Sequence, residues 1–384
     1  MINKKMKKYQ VCSYCVMDTS DPEITFNEKG ICNHCSNYND VTVKELFLGK
    51  EGKRRLDLIL NKIKKEGKKS EYDCIIGLSG GIDSSYLALK TKEWGLRPLV
   101  VHVDAGWNSE LSVYNIQKII TYCKYDLHTE VINWEDMKNL QLAYFKSGIS
   151  NQDVPQDHIF FSTLYHYATQ NNIKYILSGG NISTESIFPS SWHGSAMDAI
   201  NLKAIYKRYG SKKPLLDYKT INFFKYYIYF PFFYKMRTVR PLNFMEYNKA
   251  NAIGELKKIG FKSYEGKHGE SIFTKFFQTY YLPKKFGYDK RLPHLSSLIV
   301  SGQINRKDAI KELSKPLYDE STIENEKKYI AKKLGITKDE FEELINNQNR
   351  HFSDFPNWLV WQNFFRLLNR IVKFFFKKKF KVYS

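Results

Sequence analysis

The sequence predicts an α/β protein, a parallel sheet preceded by a four-cysteine zinc ribbon and followed by a mainly helical C-terminal region. Three observations predict it. The run Cys74-Ile75-Ile76-Gly77-Leu78 leads into Ser79-Gly80-Gly81 and then into Asp83-Ser84-Ser85, which can open a helix. Arg97 to Asp104 is a near-continuous apolar strand, as expected where both faces of a sheet are covered. Four of the six cysteines form two Cys-x-x-Cys pairs near the start.

Taken in order, residues 1–45 read as the ribbon. Cys12-x₂-Cys15 and Cys32-x₂-Cys35 are separated by sixteen residues, inside the spacing window of a four-thiolate Zn²⁺ site. Two disulfides or an iron–sulfur cluster use the same residues, the first disfavoured without a secretory signal. His34 reads as a neighbour of the site. Val43 to Gly67 alternates apolar and basic residues at helical spacing, so residues 46–70 form a connector helix. Residues 71–200 then read as β-α-β units. They include helices at 115–122, 134–145 and 158–170, and strands around His128–Ile132 and Lys174–Leu177. Cys74 and Cys123 read as buried packing residues. Residues 201–350 are expected to be mainly helical, with the Phe/Tyr-rich stretch Ile221–Phe244 as core rather than a base-stacking surface. Residues 351–384 form a basic aromatic tail.

A length of 384 residues suits two or more domains. No apolar segment follows the basic start, and no run is long enough to span a bilayer, so a cytoplasmic protein is expected. The net charge of +20 suits a polyanionic partner, whether nucleic acid, a membrane surface or a phosphorylated small molecule.

The loop narrows that choice. Paired glycines let backbone amides approach an anion; Ser79, Ser84 and Ser85 add hydroxyls, and the helix N-terminus adds free N–H groups. No Gly-Lys-Ser/Thr follows, so this is not a Walker loop, and Gly-x-Gly-x-x-Gly is absent. Ser-Gly-Gly-x-Asp-Ser-Ser resembles the pyrophosphate loop (PP-loop) of the ATP pyrophosphatases, whose fold is Rossmann-like, of the adenine nucleotide alpha hydrolase type. The resemblance implies ATP as substrate, with Asp83 helping to hold Mg²⁺. Asp104, at the end of the second strand, is expected near the adenosine. Ser178-Gly179-Gly180-Asn181 is a second glycine turn at the same sheet edge, so Gly179, Gly180 and Asn181 should share its crevice.

Farther along, Lys267-His268-Gly269-Glu270-Ser271 continues through Tyr281-Leu282-Pro283-Lys284-Lys285 to Arg291, His294 and Gln303. With the PP-loop and the cysteine pairs, this block resembles the N-acetyl sugar amidotransferase family. The resemblance implies adenylation of an acetamido oxygen on a nucleotide-linked N-acetyl sugar, followed by displacement of AMP by ammonia, in surface-polysaccharide (O-antigen, lipopolysaccharide) or related glycan synthesis. Asp83, Lys267, His268 and Glu270 are the expected catalytic residues, and Lys284 and Arg291 the expected phosphate-neutralising ones. Asn181 to Ser186 departs from the family's Ala-Thr-Glu-Gly form.

Residue 2 is Ile and no cysteine sits in a nucleophile elbow, so ammonia is expected from separate glutaminase and cyclase-like subunits. The rival reading is a PP-loop tRNA-modifying enzyme. Thiolation usually needs a catalytic cysteine, and beyond the loop only Cys123 remains, so nucleic acid is not the expected partner. The tail from Asn357 to Phe380 reads in two ways: an amphipathic helix on an anionic membrane at the inner face, or a helix docked on the body or a partner.

Overall fold

β-branched runs build the sheet, and their alternation decides what covers each face. The computed structural model describes residues 8–264 and 269–364. Its five strands are β1 (Cys74–Gly77), β2 (Pro98–Asp104), β3 (Leu127–Val131), β4 (Tyr175–Leu177) and β5 (Arg237–Val239). They lie in the order β3-β2-β1-β4-β5, and every pairing is parallel. Cys74 pairs with Pro98, Val100 with Leu127, Ile75 with Ile176 and Tyr175 with Arg237.

The helices before and within the sheet are α1 (Asn33–Asp40), α2 (Gly49–Gly67), α3 (Ile82–Glu93), α4 (Glu110–Cys123), α5 (Trp134–Ser147), α6 (Val154–Gln170), α7 (Ile182–Glu185) and α8 (Ala199–Tyr209). Ile75, Leu99, Val101 and Ile176 pack against α5, α6 and α8. Cys74, Ile76 and Val100 point the other way, onto α2, α3, α4 and α9 (Lys249–Lys257). Both faces are covered, hence the unbroken apolar strand in the sequence. Cys74 and Cys123 are buried in these layers.

The C-terminal helices are α10 (Ile272–Phe276), α11 (Leu282–Phe286), α12 (Arg291–Val300), α13 (Arg306–Leu313), α14 (Glu320–Leu334) and α15 (Lys338–Asn346). Phe273, Phe276, Phe277 and Tyr281 form a second core with Trp107, Phe145 and Phe341. The ribbon is not a free-standing module. Its Val16, Met17 and Ile24 pack on Leu292, Leu295, Ile299 and Ala309 of α12 and α13. Arg306 donates to the carbonyls of Cys12 and Cys15 at 3.1 and 3.0 Å.

Two expectations are corrected. The sheet does not end near residue 200, because β5 comes from inside the aromatic stretch read as helical core. That stretch is also only partly core: Phe230 is buried, whereas Phe224, Tyr229, Phe232 and Phe233 are exposed. Lys225–Phe233 forms a π-helical run.

Candidate active site

The chain runs from β1 to β2 and β3 on one side, then returns to place β4 on the other side of β1. The order therefore reverses at β1, and in open α/β sheets ligands bind at such a switch point, beyond the strand C-termini. Both glycine turns lie there. Gly80 has a φ of +81°, and a Cβ on it would stand 2.7 Å from the carbonyl oxygen of Ser112. Gly179 abuts the start of α3 so closely that a Cβ would lie 2.8 Å from the Asp83 carbonyl carbon.

The PP-loop holds itself open with its own hydroxyls. Ser84 Oγ lies 3.1 Å from Ser79 Oγ and donates to the Gly81 carbonyl at 3.2 Å. Gly81 N–H donates to Ser79 Oγ at 3.3 Å. Tyr264 O–H donates to the Gly80 carbonyl at 2.8 Å, pinning the turn from outside. Tyr247 O–H donates to Asp83 Oδ1, and burial with the nearby Asp83 charge pushes the phenol's pKa upward. It stays a donor.

Ser79, Gly81, Asp83, Ser84, Gly179, Gly180 and Glu270 line one cleft of about 1560 Å³. One drug-sized ligand needs roughly 300–1,000 Å³, so two reactants have room. Glu270 arrives because Ser109 N–H donates to its carbonyl at 2.9 Å and Ile272 N–H donates to the Trp107 carbonyl at 3.0 Å. A Cβ on Gly81 would be 3.5 Å from Glu270 Oε1. Lys267 and His268 lie outside the described residues.

Other expected residues are elsewhere. Ser85 is fully buried and does not line the cleft. Asn181 caps α7, accepting from Thr184 N–H at 3.0 Å. The Asp104 carboxylate accepts from Gly106 N–H at 2.8 Å and borders a separate recess beside Trp134 and Lys333. Lys284 donates to Tyr280 Oη at 2.8 Å. Arg291 chelates Asp289 and donates to the carbonyls of Glu312, Leu313 and Lys315, closing the end of α13. Lys284 and Arg291 are therefore structural cations, spent on their neighbours rather than on the cleft.

The structure adds residues that sequence reasoning passed over. His102 of β2 lines the cleft with Nδ1 donating to the Leu78 carbonyl at 2.9 Å, and its Nε2 accepts from Asn108 Nδ2 at 3.0 Å. Burial lowers its pKa, so the ring is neutral. Glu185, Arg240 and Lys249 also line the cleft. Glu185 stands just past the second glycine turn, at the end of α7; Arg240 was hidden in the aromatic stretch.

The cysteines gather into one buried cluster. Cys32 and Cys35 Sγ lie 3.6 Å apart, Cys15 and Cys32 3.7 Å, and Cys12 and Cys35 4.0 Å, with all four Sγ within 4.8 Å of one another. A tetrahedral ion with Zn–S bonds of about 2.3 Å sets its sulfurs about 3.8 Å apart. The set fits a single tetrahedral ion such as Zn²⁺. Cys32 N–H donates to Cys12 Sγ at 3.2 Å and Met17 N–H to Cys15 Sγ at 3.4 Å, the outer bonds that orient thiolates. His34 instead pairs with Asp21 at 2.7 Å.

With this geometry in view, the relatives can be compared. A family model described as LPS biosynthesis protein WbpG-like, C-terminal domain, matches residues 270–368. It begins at Glu270 and runs on into the aromatic tail. A tRNA-specific 2-thiouridylase MnmA 2 of Fusobacterium nucleatum is 30% identical over 119 residues, 29% of this chain and 34% of that protein. The uncharacterized protein MJ1599 of Methanocaldococcus jannaschii is 27% identical over 174 residues, 44% of this chain and 58% of that protein. The chain thus spans about a third and somewhat over half of these two curated relatives. Among solved structures, an NH3-dependent NAD synthetase from Campylobacter jejuni matches with a TM-score of 0.28 and 16% identity, over 35% of this chain and 59% of that one. The NMN synthetase from Francisella tularensis matches with a TM-score of 0.29 and 15% identity, over 57% of this chain and 100% of that one. The Ser-Gly-Gly-x-Asp-Ser-Ser loop thus stands at the switch point of a parallel sheet, in a chain whose residues 270–368 match the WbpG-like C-terminal domain.

Proposed function

We propose that the cleft adenylates the acetamido oxygen of a nucleotide-linked N-acetyl sugar and exchanges it for ammonia. The amide oxygen attacks the α-phosphorus of ATP and pyrophosphate leaves. Ammonia then adds to the imidate carbon, sheds one proton, and AMP departs carrying the former amide oxygen. The product is an acetamidino group. An amide oxygen is a poor leaving group, and adenylation makes it a good one.

One observation carries the reading: the WbpG-like segment begins at the residue whose carboxylate faces Gly81 of the PP-loop. The nucleotide end and the family-specific end of the chain meet at one point. The Gly81 amide, the hydroxyls of Ser79 and Ser84 and the α3 N-terminus would cradle the pyrophosphate. Arg240 and Lys249 add positive charge on the wall. Mg²⁺ would be held by Asp83, where it offsets charge on the leaving pyrophosphate. Glu185 and Glu270 are carboxylates able to take the proton that ammonia sheds. Ammonia itself would come from a separate glutaminase and cyclase-like pair.

A second reading, tRNA thiolation, is favoured by the thiouridylase match. Against it, each of the six cysteines is in the ribbon, in β1 or in α4, and none lines the cleft. The deciding experiment measures AMP release with ATP, Mg²⁺ and ammonium on a panel of UDP-N-acetyl sugars and, in parallel, on bulk tRNA. The sugar reading expects sugar-dependent AMP and a product lighter by about one mass unit, as oxygen becomes NH. AMP release with tRNA alone would replace it.

A further inference from the structure

The π-helical run Lys225–Phe233 has two sides. Tyr226, Tyr227 and Phe230 line the cleft, whereas Phe224, Tyr229 and Phe233 are exposed, Phe233 by 70%. A second aromatic segment leans on the first. Phe223 meets the rings of Trp358 and Trp361 at 5.3 and 6.2 Å, and Gln362 Nε2 donates to Tyr227 Oη at 3.0 Å. This second segment exposes Val360 by 75%, with Trp361 and Phe364 about half exposed.

The charge along both sequence segments has one sign. Between Asp217 and Glu246 the sequence contains no acidic residue, and Lys225, Lys235 and Arg237 are exposed there. After Asp354 none occurs either, while Arg366, Arg370, Lys373 and Lys377-Lys378-Lys379 follow. Exposed aromatic rings in segments whose own charges are all positive match the boundary between headgroups and acyl chains of an anionic bilayer. A protein partner would not require charge of a single sign. No helix among the described residues is long and apolar enough to cross a membrane, so the contact would be interfacial.

We propose that the face formed by residues 224–233 and 358–364 docks on an anionic lipid surface. The docked element is also a wall of the cleft, so binding and substrate access share one structural unit. Nothing in this proposal depends on which acceptor the cleft adenylates.

Flotation of the full chain tests it, using vesicles of equal parts phosphatidylglycerol and phosphatidylcholine beside vesicles of phosphatidylcholine alone. Binding is expected on the anionic vesicles, weakened by added NaCl. A Phe224→Ser/Phe233→Ser/Trp361→Ser variant is expected to lose at least about tenfold in partitioning. Unchanged zinc content and thermal unfolding keep that a test of the surface. Should the variant unfold, Lys225→Glu/Lys235→Glu, at exposed positions, must give the same loss. Equal flotation on both vesicles, no flotation, or flotation unaffected by these substitutions would overturn the proposal. So would dependence on residues 365–384 alone.

Discussion

Gly179 is where a single methyl group would do most damage. Its absent side chain lets the second turn lie against Asp83 and Ser84, with backbone atoms 2.8 to 3.0 Å from where a Cβ would be. Gly179→Ala should displace the start of α3 and lower AMP formation about 100-fold, the cost of misplacing a reacting group by about 1 Å. Circular dichroism should remain native. Asp83→Asn keeps the shape but removes the charge, and a loss of roughly 100- to 1,000-fold is expected in the rate, with little change in the melting temperature. At this scale the loop was legible because its chemistry is local: two glycines and three hydroxyls within seven positions. Lys284 and Arg291 were not, because a cation's role depends on which partners fold beside it. Tyr247 and Arg240 approach the cleft from far along the chain, and no short-range pattern marks them.

Elements transmit the site's geometry, and two of them can be tested separately. The ribbon packs on α12 and α13, and Ser183 and Thr184 of α7 accept from Ser301 and His294. Structural zinc contributes roughly 10–16 kcal/mol in isolated fingers, more than most domains have in net stability. Chelation, or Cys32→Ser, should therefore melt the ribbon, lower the thermal midpoint and release one zinc per chain, as colorimetric titration would record. Helix α6 carries a pH-dependent contribution. His158 donates from Nδ1 to the Ala196 carbonyl at 3.0 Å and accepts from Ile221 N–H at Nε2, so only the neutral ring satisfies both bonds. Burial holds its pKa down at about 4, against an ordinary value of 6.5. The unfolded chain thus binds a proton first as pH falls. The stabilisation is complete above pH 6.5 and is lost progressively toward pH 4, by about 3 kcal/mol. Denaturant titrations across that range should show a shallower acid slope for His158→Gln than for the parent. Most helices were legible from their periodicity. β5 was not, because three residues within an aromatic run carry no strand period of their own.

At the scale of the whole molecule, the sheet edge, α2, the aromatic stretch and the chain around Glu270 line one cleft, while the N-terminal ribbon packs on C-terminal helices that stand hundreds of positions away in sequence. The switch point at β1 explains why the nucleotide loop and the WbpG-like segment meet: Trp107 and Ser109 follow β2, and both bond the chain around Glu270. The order of strands and the fate of each charge are properties of this packing, so sequence patterns could name the parts without assembling them. The central claim is that the cleft transfers an amide oxygen to AMP. The most direct measurement uses a UDP-N-acetyl sugar labelled with ¹⁸O in the acetamido group, together with ATP, Mg²⁺ and ammonium, and weighs the AMP released. The account predicts one ¹⁸O in AMP and none in pyrophosphate, with an unlabelled amidine as product. Unlabelled AMP formed alongside a sugar that keeps its ¹⁸O would contradict it.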